Sequence, residues 1–135
     1  MYIVFGDLAR QIPNSYTLLE LDTFKILPDK ILVPTWCVVE KIGLEDFPTL
    51  EHKIKMHNDL MQQYRQRNWD FCLRAIEVLM GSWNGEVDSF YIEISRRISE
   101  FLQQPPPQDW DATLERTQDW LPADAVNNQV VSTSQ

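Results

Sequence analysis

The chain has 135 residues, 44% hydrophobic and 24% charged, with a net charge of −8. That length buries enough apolar surface to fold as one domain without a metal or disulfide. The acidic balance excludes nucleic-acid binding through a broad cationic surface and disfavours anionic membranes. The acidity gathers at the two ends: residues 1–48 hold four basic and seven acidic side chains, 49–104 seven and eight, and 105–135 one and five. Cys37 and Cys72 both lie inside apolar patterns, as buried reduced thiols do. Met1–Arg10 lacks the basic start and apolar run of a signal peptide. No stretch approaches the roughly 20 apolar residues of a membrane span. A cytoplasmic protein is the expectation.

The first third reads as strand. Tyr2–Phe5 is short and apolar and runs into Gly6-Asp7, a turn signal. Residues 16–26 are rich in β-formers. Residues 31–42 alternate, with Val33, Cys37 and Val39 on one face and Trp36, Val38 and Glu40 on the other. Pro28-Asp29-Lys30 between them suits a tight turn. An antiparallel hairpin follows, with Tyr2–Phe5 as a third strand. Pro34 belongs at an edge or near a strand start, because it cannot donate to a ladder.

The middle reads as three helices. Leu50, Ile54, His57, Met61 and Tyr64 are spaced four, three, four and three apart, which puts them on one helical face. Pro48-Thr49 suits the helix start. A second helix over 69–80 carries the stripe Cys72, Ala75, Ile76 and Leu79, with Asn68 or Asp70 to satisfy its first amides. Gly81–Gly85 interrupts the chain. A third helix over about 87–102 has the stripe Val87, Phe90, Tyr91, Ile94, Ile98 and Phe101. Glu86 and Asp88 at its start, and Arg96-Arg97 towards its end, suit the helix dipole. Pro105-Pro106-Pro107 stops it and imposes a stiff, extended course. The expected layout is therefore α+β. One domain spans 1–112, with 1–47 β-rich, 48–104 helical and 105–112 a Pro/Trp extension. Residues 113–135 read as a flexible acidic tail, polar and low in complexity beyond Asp124.

Two resemblances sit on the helical part. Tyr64-Arg65-Gln66-Arg67-Asn68-Trp69-Asp70-Phe71-Cys72 resembles the corner of a tetratricopeptide repeat: an aromatic, a short polar turn, an aromatic, then a small residue three later. Ile76 and Leu79 fall where that repeat packs inward. Leu60 stands where the repeat has a small residue and Arg67 where it has glycine, and one unit is present. Over about 57–112 the order Tyr64, Trp69, Asp88, Tyr91, Arg97, Ile98 and Pro106-Pro107-Gln108-Asp109-Trp110-Asp111 resembles the helical tail that follows the catalytic domain in some bacterial class III adenylate/guanylate cyclases. The residues upstream are too few for that catalytic domain, so the resemblance implies a helical accessory module without activity. The strand-plus-helix layout also resembles that of many uncharacterised phage-encoded proteins.

Catalytic chemistry finds little footing. His52 and His57 are five apart, not the four that place two metal ligands on one helical face. No Gly-x-Ser-x-Gly elbow or glycine-rich phosphate loop occurs. Glu20, Asp22 and Glu40 could neighbour one another on the hairpin, but exposed acids on a sheet are usually solvated. Arg65, Arg67 and Arg74, with Arg96 and Arg97 further on, make either a solvated face paired with Asp70, Glu77, Glu93 and Glu100, or an aromatic–basic surface together with Tyr64 and Trp69. Trp69 and Trp83 read as core. Trp110 and Trp120 dock either on the protein itself or on a partner.

The reading is a non-enzymatic interaction or scaffold module with no catalytic residue, metal or cofactor. It would bind a protein partner through Tyr64, Arg65, Arg67, Trp69, Arg97 and Trp110. A structural or accessory component of a larger assembly, phage-encoded ones included, is the alternative, and homo-oligomerisation stays open.

Overall fold

In the computed structural model, residues 1–40 and 47–121 are described. The chain is α+β. It divides into two compact units, one formed by Tyr2–Glu40 together with the chain from Ala112, the other by Lys41–Asp111. One domain over 1–112 was the expectation; the chain instead leaves the β unit once and returns to it.

The β unit is a four-stranded sheet of order β1-β3-β2-β4, built from β1 (Tyr2–Phe5), β2 (Tyr16–Leu27), β3 (Ile31–Glu40) and β4 (Leu114–Thr117). The hairpin and third strand form as the alternation predicts. β1 pairs antiparallel with β3, Tyr2 opposite Val38 and Phe5 opposite Thr35, and β2 pairs antiparallel with β3 from Tyr16–Glu40 to Ile26–Ile31. Val33, Thr35, Cys37 and Val39 are buried, while their sequence neighbours on β3 are half-buried or exposed. The strand expected to reach Ile42 is described to Glu40, and Lys41 and Ile42 lie outside the described residues.

A β-bulge in β2 sets the register. Glu20 pairs with Trp36 but Thr23 pairs with Pro34, so Leu21 and Asp22 together face Thr35. Both are buried, and burial along β2 shifts phase there, from Thr17, Leu19 and Leu21 to Asp22 and Ile26. The extra residue keeps an apolar side chain on the buried face past the irregularity. Thr35 Oγ1 donates to the Asp22 carbonyl at 2.7 Å, which occupies an acceptor that the broken ladder leaves over. Pro34 therefore sits inside central strand β3, at the bulge and one residue beyond the last β1 pair, where a missing N–H is tolerated. The bulge also separates Asp22 from Glu20. Asp22 is on the buried face, and Glu20, paired with Trp36, is on the other.

The expected flexible tail begins with ordered structure. β4 runs parallel to β2, with Leu114 opposite Phe24 and Thr117 opposite Leu27. A short 3-10 turn, Gln118–Trp120, follows and brings Leu121 into a cluster with Ile26 and Val33, flanked by Phe5, Phe24 and Ile31. Trp120 lies over Phe24 at 4.2 Å and edge-on to Phe5 at 6.0 Å. Its docking site is thus the protein's own sheet. The remainder of the tail, 122–135, lies outside the described residues.

The helical unit holds α1 (Phe47–Arg65), α2 (Trp69–Leu79) and α3 (Asp88–Gln103), with α1 packed on α2 and α2 on α3. Most of each predicted stripe is buried: His57, Met61 and Tyr64 on α1; Cys72, Ala75, Ile76 and Leu79 on α2; Phe90, Tyr91, Ile94 and Ile98 on α3, with Val87 just before it. Leu50, Ile54 and Phe101, at the outer ends of the stripes, are half-buried. Leu60 joins the buried residues with no exposed surface. Asn68 caps α2, its Oδ1 accepting from the Phe71 amide. Arg96 and Arg97 are a turn or more from the end of α3, and instead of serving the dipole they pair with Glu93 and Glu100.

A polar chain crosses this apolar interior. His57 Nδ1 and Tyr91 Oη are 2.9 Å apart, and Trp83 Nε1 donates to the same Oη at 3.0 Å. All three residues are buried. Tyr91 thus joins α1, α3 and the turn between α2 and α3 through one oxygen. Tyr91→Phe leaves the Trp83 N–H buried without its acceptor, and should destabilise the protein by about 1–3 kcal/mol in a denaturant titration. A loss under about 0.5 kcal/mol would mean that the N–H reaches water.

Candidate functional site

The α1–α2 corner is built by a helix ending in a non-glycine residue. Arg67 adopts φ 63°, the left-handed conformation. Its amide donates to the Tyr64 carbonyl at 3.1 Å, and the Asn68 amide donates to the Gln63 carbonyl at 3.0 Å. These two bonds form a Schellman ending, in which glycine is the usual left-handed residue. Asn68 Nδ2 also donates to Gln63 Oε1 at 2.9 Å, locking the same two positions through their side chains. For an L-residue with a Cβ this conformation costs about 1–2 kcal/mol. The compensation is visible in what the arginine side chain reaches.

Arg67 donates from Nη1 to the Pro106 carbonyl at 3.1 Å, and from Nη2 to the Pro107 carbonyl at 2.5 Å and the Gln108 carbonyl at 3.3 Å. One guanidinium thus spans three successive carbonyls of the segment after α3. The prolines suit this geometry, because they hold the chain extended and carry no N–H to compete. The Trp110 amide closes a turn onto the Pro107 carbonyl at 3.0 Å, so that oxygen takes two donors. Pro106 is buried.

Trp110 fills an aromatic cup beside the arginine. Its ring meets Tyr64 edge-on at 5.5 Å, Phe101 at 5.2 Å and Trp69 at 5.9 Å. Trp69 stacks on Phe101 at 5.2 Å with planes 22° apart, and Tyr64 meets Trp69 edge-on at 5.8 Å. The Arg67 guanidinium carbon lies 5.4 Å from the Trp110 ring centroid, within cation–π range. Edge-on and offset contacts set the positive ring edge against a π face, each worth about 0.5–1.5 kcal/mol beyond the area buried. The cup draws one residue from the end of α1, one from the start of α2 and one from the end of α3.

Four of the six residues expected to bind a partner, Tyr64, Arg67, Trp69 and Trp110, therefore come together, but they bind one another. Arg67 is not an open rim residue; its donors are on the protein's own backbone. Arg97 is in a helix-internal ion pair, with Nε donating to Glu93 Oε2 at 2.9 Å. Arg65 is exposed in the last turn of α1, where its charge suits the helix dipole. Phe101 is a site residue that the sequence did not single out. Its signal is its place as the last member of the α3 stripe, next to the proline run. Trp110, open between self and partner in the sequence, is docked on the helices.

Reactive groups do not gather here. Burial pushes the Cys72 thiol up to about 11, so it stays protonated, and its Sγ lies 3.8 Å from the Leu60 carbonyl. Cys37 is likewise buried and outside any disulfide. Among the described residues, no group of three or more His, Cys, Asp or Glu could hold a metal ion, and no helix is long and apolar enough to cross a membrane. No family model, curated protein or solved structure matches the chain.

Glu93 is a carboxylate strongly tuned by the arginines. Hydrogen bonds from Arg96, then from Arg97, and both positive charges hold it down at about 2, against an ordinary 4.5. Its folded value is lowered, so its contribution to stability is complete above pH 4.5 and fades as the pH falls towards 2. A carboxyl NMR titration should place the Glu93 midpoint near 2 and move it up towards 4.5 in Arg96→Gln. An unperturbed midpoint in the native protein would contradict the pairing.

Proposed function

We propose that this protein is a non-enzymatic interaction module whose recognition element is the aromatic cup and arginine fork at the α1–α2 corner. The observation that carries the reading is Arg67 spanning the carbonyls of Pro106, Pro107 and Gln108 while Trp110 sits among Tyr64, Trp69 and Phe101. Recognition of an extended proline-rich strand by main-chain bonds and an aromatic-lined pocket is a recurrent way to bind peptides. The chain's own Pro106–Trp110 segment occupies the cup as a ligand in cis. A protein partner would present the same chemistry, an extended proline-rich stretch followed by tryptophan.

The resemblance to a tetratricopeptide corner and to a cyclase accessory tail supports a helical recognition module rather than a catalyst. Two buried thiols outside any disulfide suit a cytoplasmic setting. A second reading, an accessory component of a larger and phage-encoded assembly, is favoured by one edge of the sheet. β1 carries no charge and exposes Tyr2 and Ile3, whereas the opposite edge, β4, carries Glu115 and Arg116. An uncharged edge strand is the kind that accepts another strand.

A tether of this kind acts as a ligand at roughly millimolar effective concentration, so the native protein should ignore added peptide well below that level. Trp110→Ala weakens the tether. A peptide spanning Pro105–Asp111 should then bind saturably in calorimetry, at least about tenfold tighter than to the native chain. Adding Arg67→Ala should remove that binding. A folded Trp110→Ala protein that takes up no peptide would overturn the reading and leave strand addition at β1 in its place.

A further inference from the structure

Resting on the proposed reading of the cup and fork, we infer that the ligand they select is a Pro-x-x-x-Trp turn, in which a proline ring and a tryptophan ring are read, the arginine grips the carbonyls of the first three residues, and the three intervening side chains stay in water.

Burial along the segment separates what is read from what is not. Pro106 is buried and Trp110 half-buried, whereas Pro107, Gln108 and Asp109 between them are exposed. Only the first and last of these five residues therefore put their side chains into the structure. The contacts in between go to backbone: Arg67 donates to the carbonyls of Pro106, Pro107 and Gln108. Every residue has a carbonyl, so these bonds add affinity without naming a side chain, and specificity falls to the pockets at the two ends. Pro107 acts through its backbone, because a proline confines the residue before it to an extended conformation.

A shared oxygen sets the spacing. The Pro107 carbonyl accepts from Arg67 Nη2 at 2.5 Å and from the Trp110 amide at 3.0 Å. A carbonyl oxygen has two lone pairs, and both are used here. The second bond closes a four-residue turn from Pro107 to Trp110, so the atom that Arg67 grips also fixes where the tryptophan emerges. Its ring then meets Tyr64, Phe101 and Trp69 at 5.5, 5.2 and 5.9 Å. One residue more or fewer moves the ring by up to about 3.8 Å, most of that separation. The distance from proline to tryptophan is thus part of what the corner recognises.

The test uses the full-length Trp110→Ala protein and peptides spanning Pro105–Asp111, with affinity read by calorimetry. Replacing Gln108 and Asp109 of the peptide together by alanine should leave Kd within about threefold of the native peptide. Inserting one alanine between them should weaken binding at least about tenfold, because the ring loses its edge-on contacts. Pro106→Ala in the peptide should weaken it about fivefold through the lost ring burial. An inserted-alanine or Pro106→Ala peptide with native affinity, or a double-alanine peptide that does not bind, would overturn the spacing rule and leave the cup as the recognition element. A native peptide that fails to bind would overturn the cup and this inference with it. In the otherwise native chain, hydrogen exchange of the Trp110 amide tests the turn with the cup filled. Protection should persist in Gln108→Ala with Asp109→Ala and fall at least about tenfold on the one-alanine insertion. Protection retained in the insertion variant would also overturn the rule.

Discussion

The course of the segment that follows α3 depends on one guanidinium. Arg67 is held in a left-handed backbone by the Schellman ending of α1 and by the Asn68–Gln63 side-chain bond, which points the arginine away from the helix it terminates. From there it fixes three carbonyls that lie some forty residues further along the chain. Without that fork the proline run would still end α3, but little would direct it back across the corner. With it, Trp110 is delivered to a cup formed where three helices end or begin. The strain of a positive φ and the gain of charge-assisted hydrogen bonds are thus two sides of a single choice of residue.

That choice separates the corner from a plain helical turn. Glycine would make the Schellman ending at lower conformational cost, as the tetratricopeptide pattern does, but it could not reach the proline carbonyls. Arginine converts a structural turn into a polar receptor next to an aromatic one. The combination is selective in a simple sense. The fork needs consecutive carbonyls in an extended chain, and the cup needs a flat apolar ring a short turn later. An internal segment that satisfies both explains why the surface arginine predicted for a partner is already engaged.

The helices were legible because their core faces repeat every three or four residues, and nearly every stripe residue from His57 to Ile98 is buried. The hairpin was legible from the alternation of Val33, Cys37 and Val39. The bulge was not, since Leu21 and Asp22 read as two ordinary strand residues facing opposite ways, and only the pairing with Thr35 shows both inward. β4 was hidden for a related reason. Leu-Glu-Arg-Thr is an exposed edge with no apolar alternation, and its partner β2 lies about ninety residues away, beyond any local pattern. At the site, the aromatics were found but their mutual packing was not. A tryptophan that docks on its own chain and one that awaits a partner carry the same local sequence. The glycine position of the tetratricopeptide pattern marked where Arg67 stands, but the carbonyls its side chain reaches some forty residues on were not readable from local sequence.

The central claim is that Arg67 and Trp110 act as one unit, and a double-mutant cycle measures that directly. Arg67→Ala, Trp110→Ala and the double variant are compared by equilibrium denaturation. Coupling of roughly 1–2 kcal/mol is predicted, since either substitution alone releases the segment that the other residue holds. Losses that add to within about 0.3 kcal/mol would show that the two residues act independently, and would contradict a fork that delivers Trp110 to its cup.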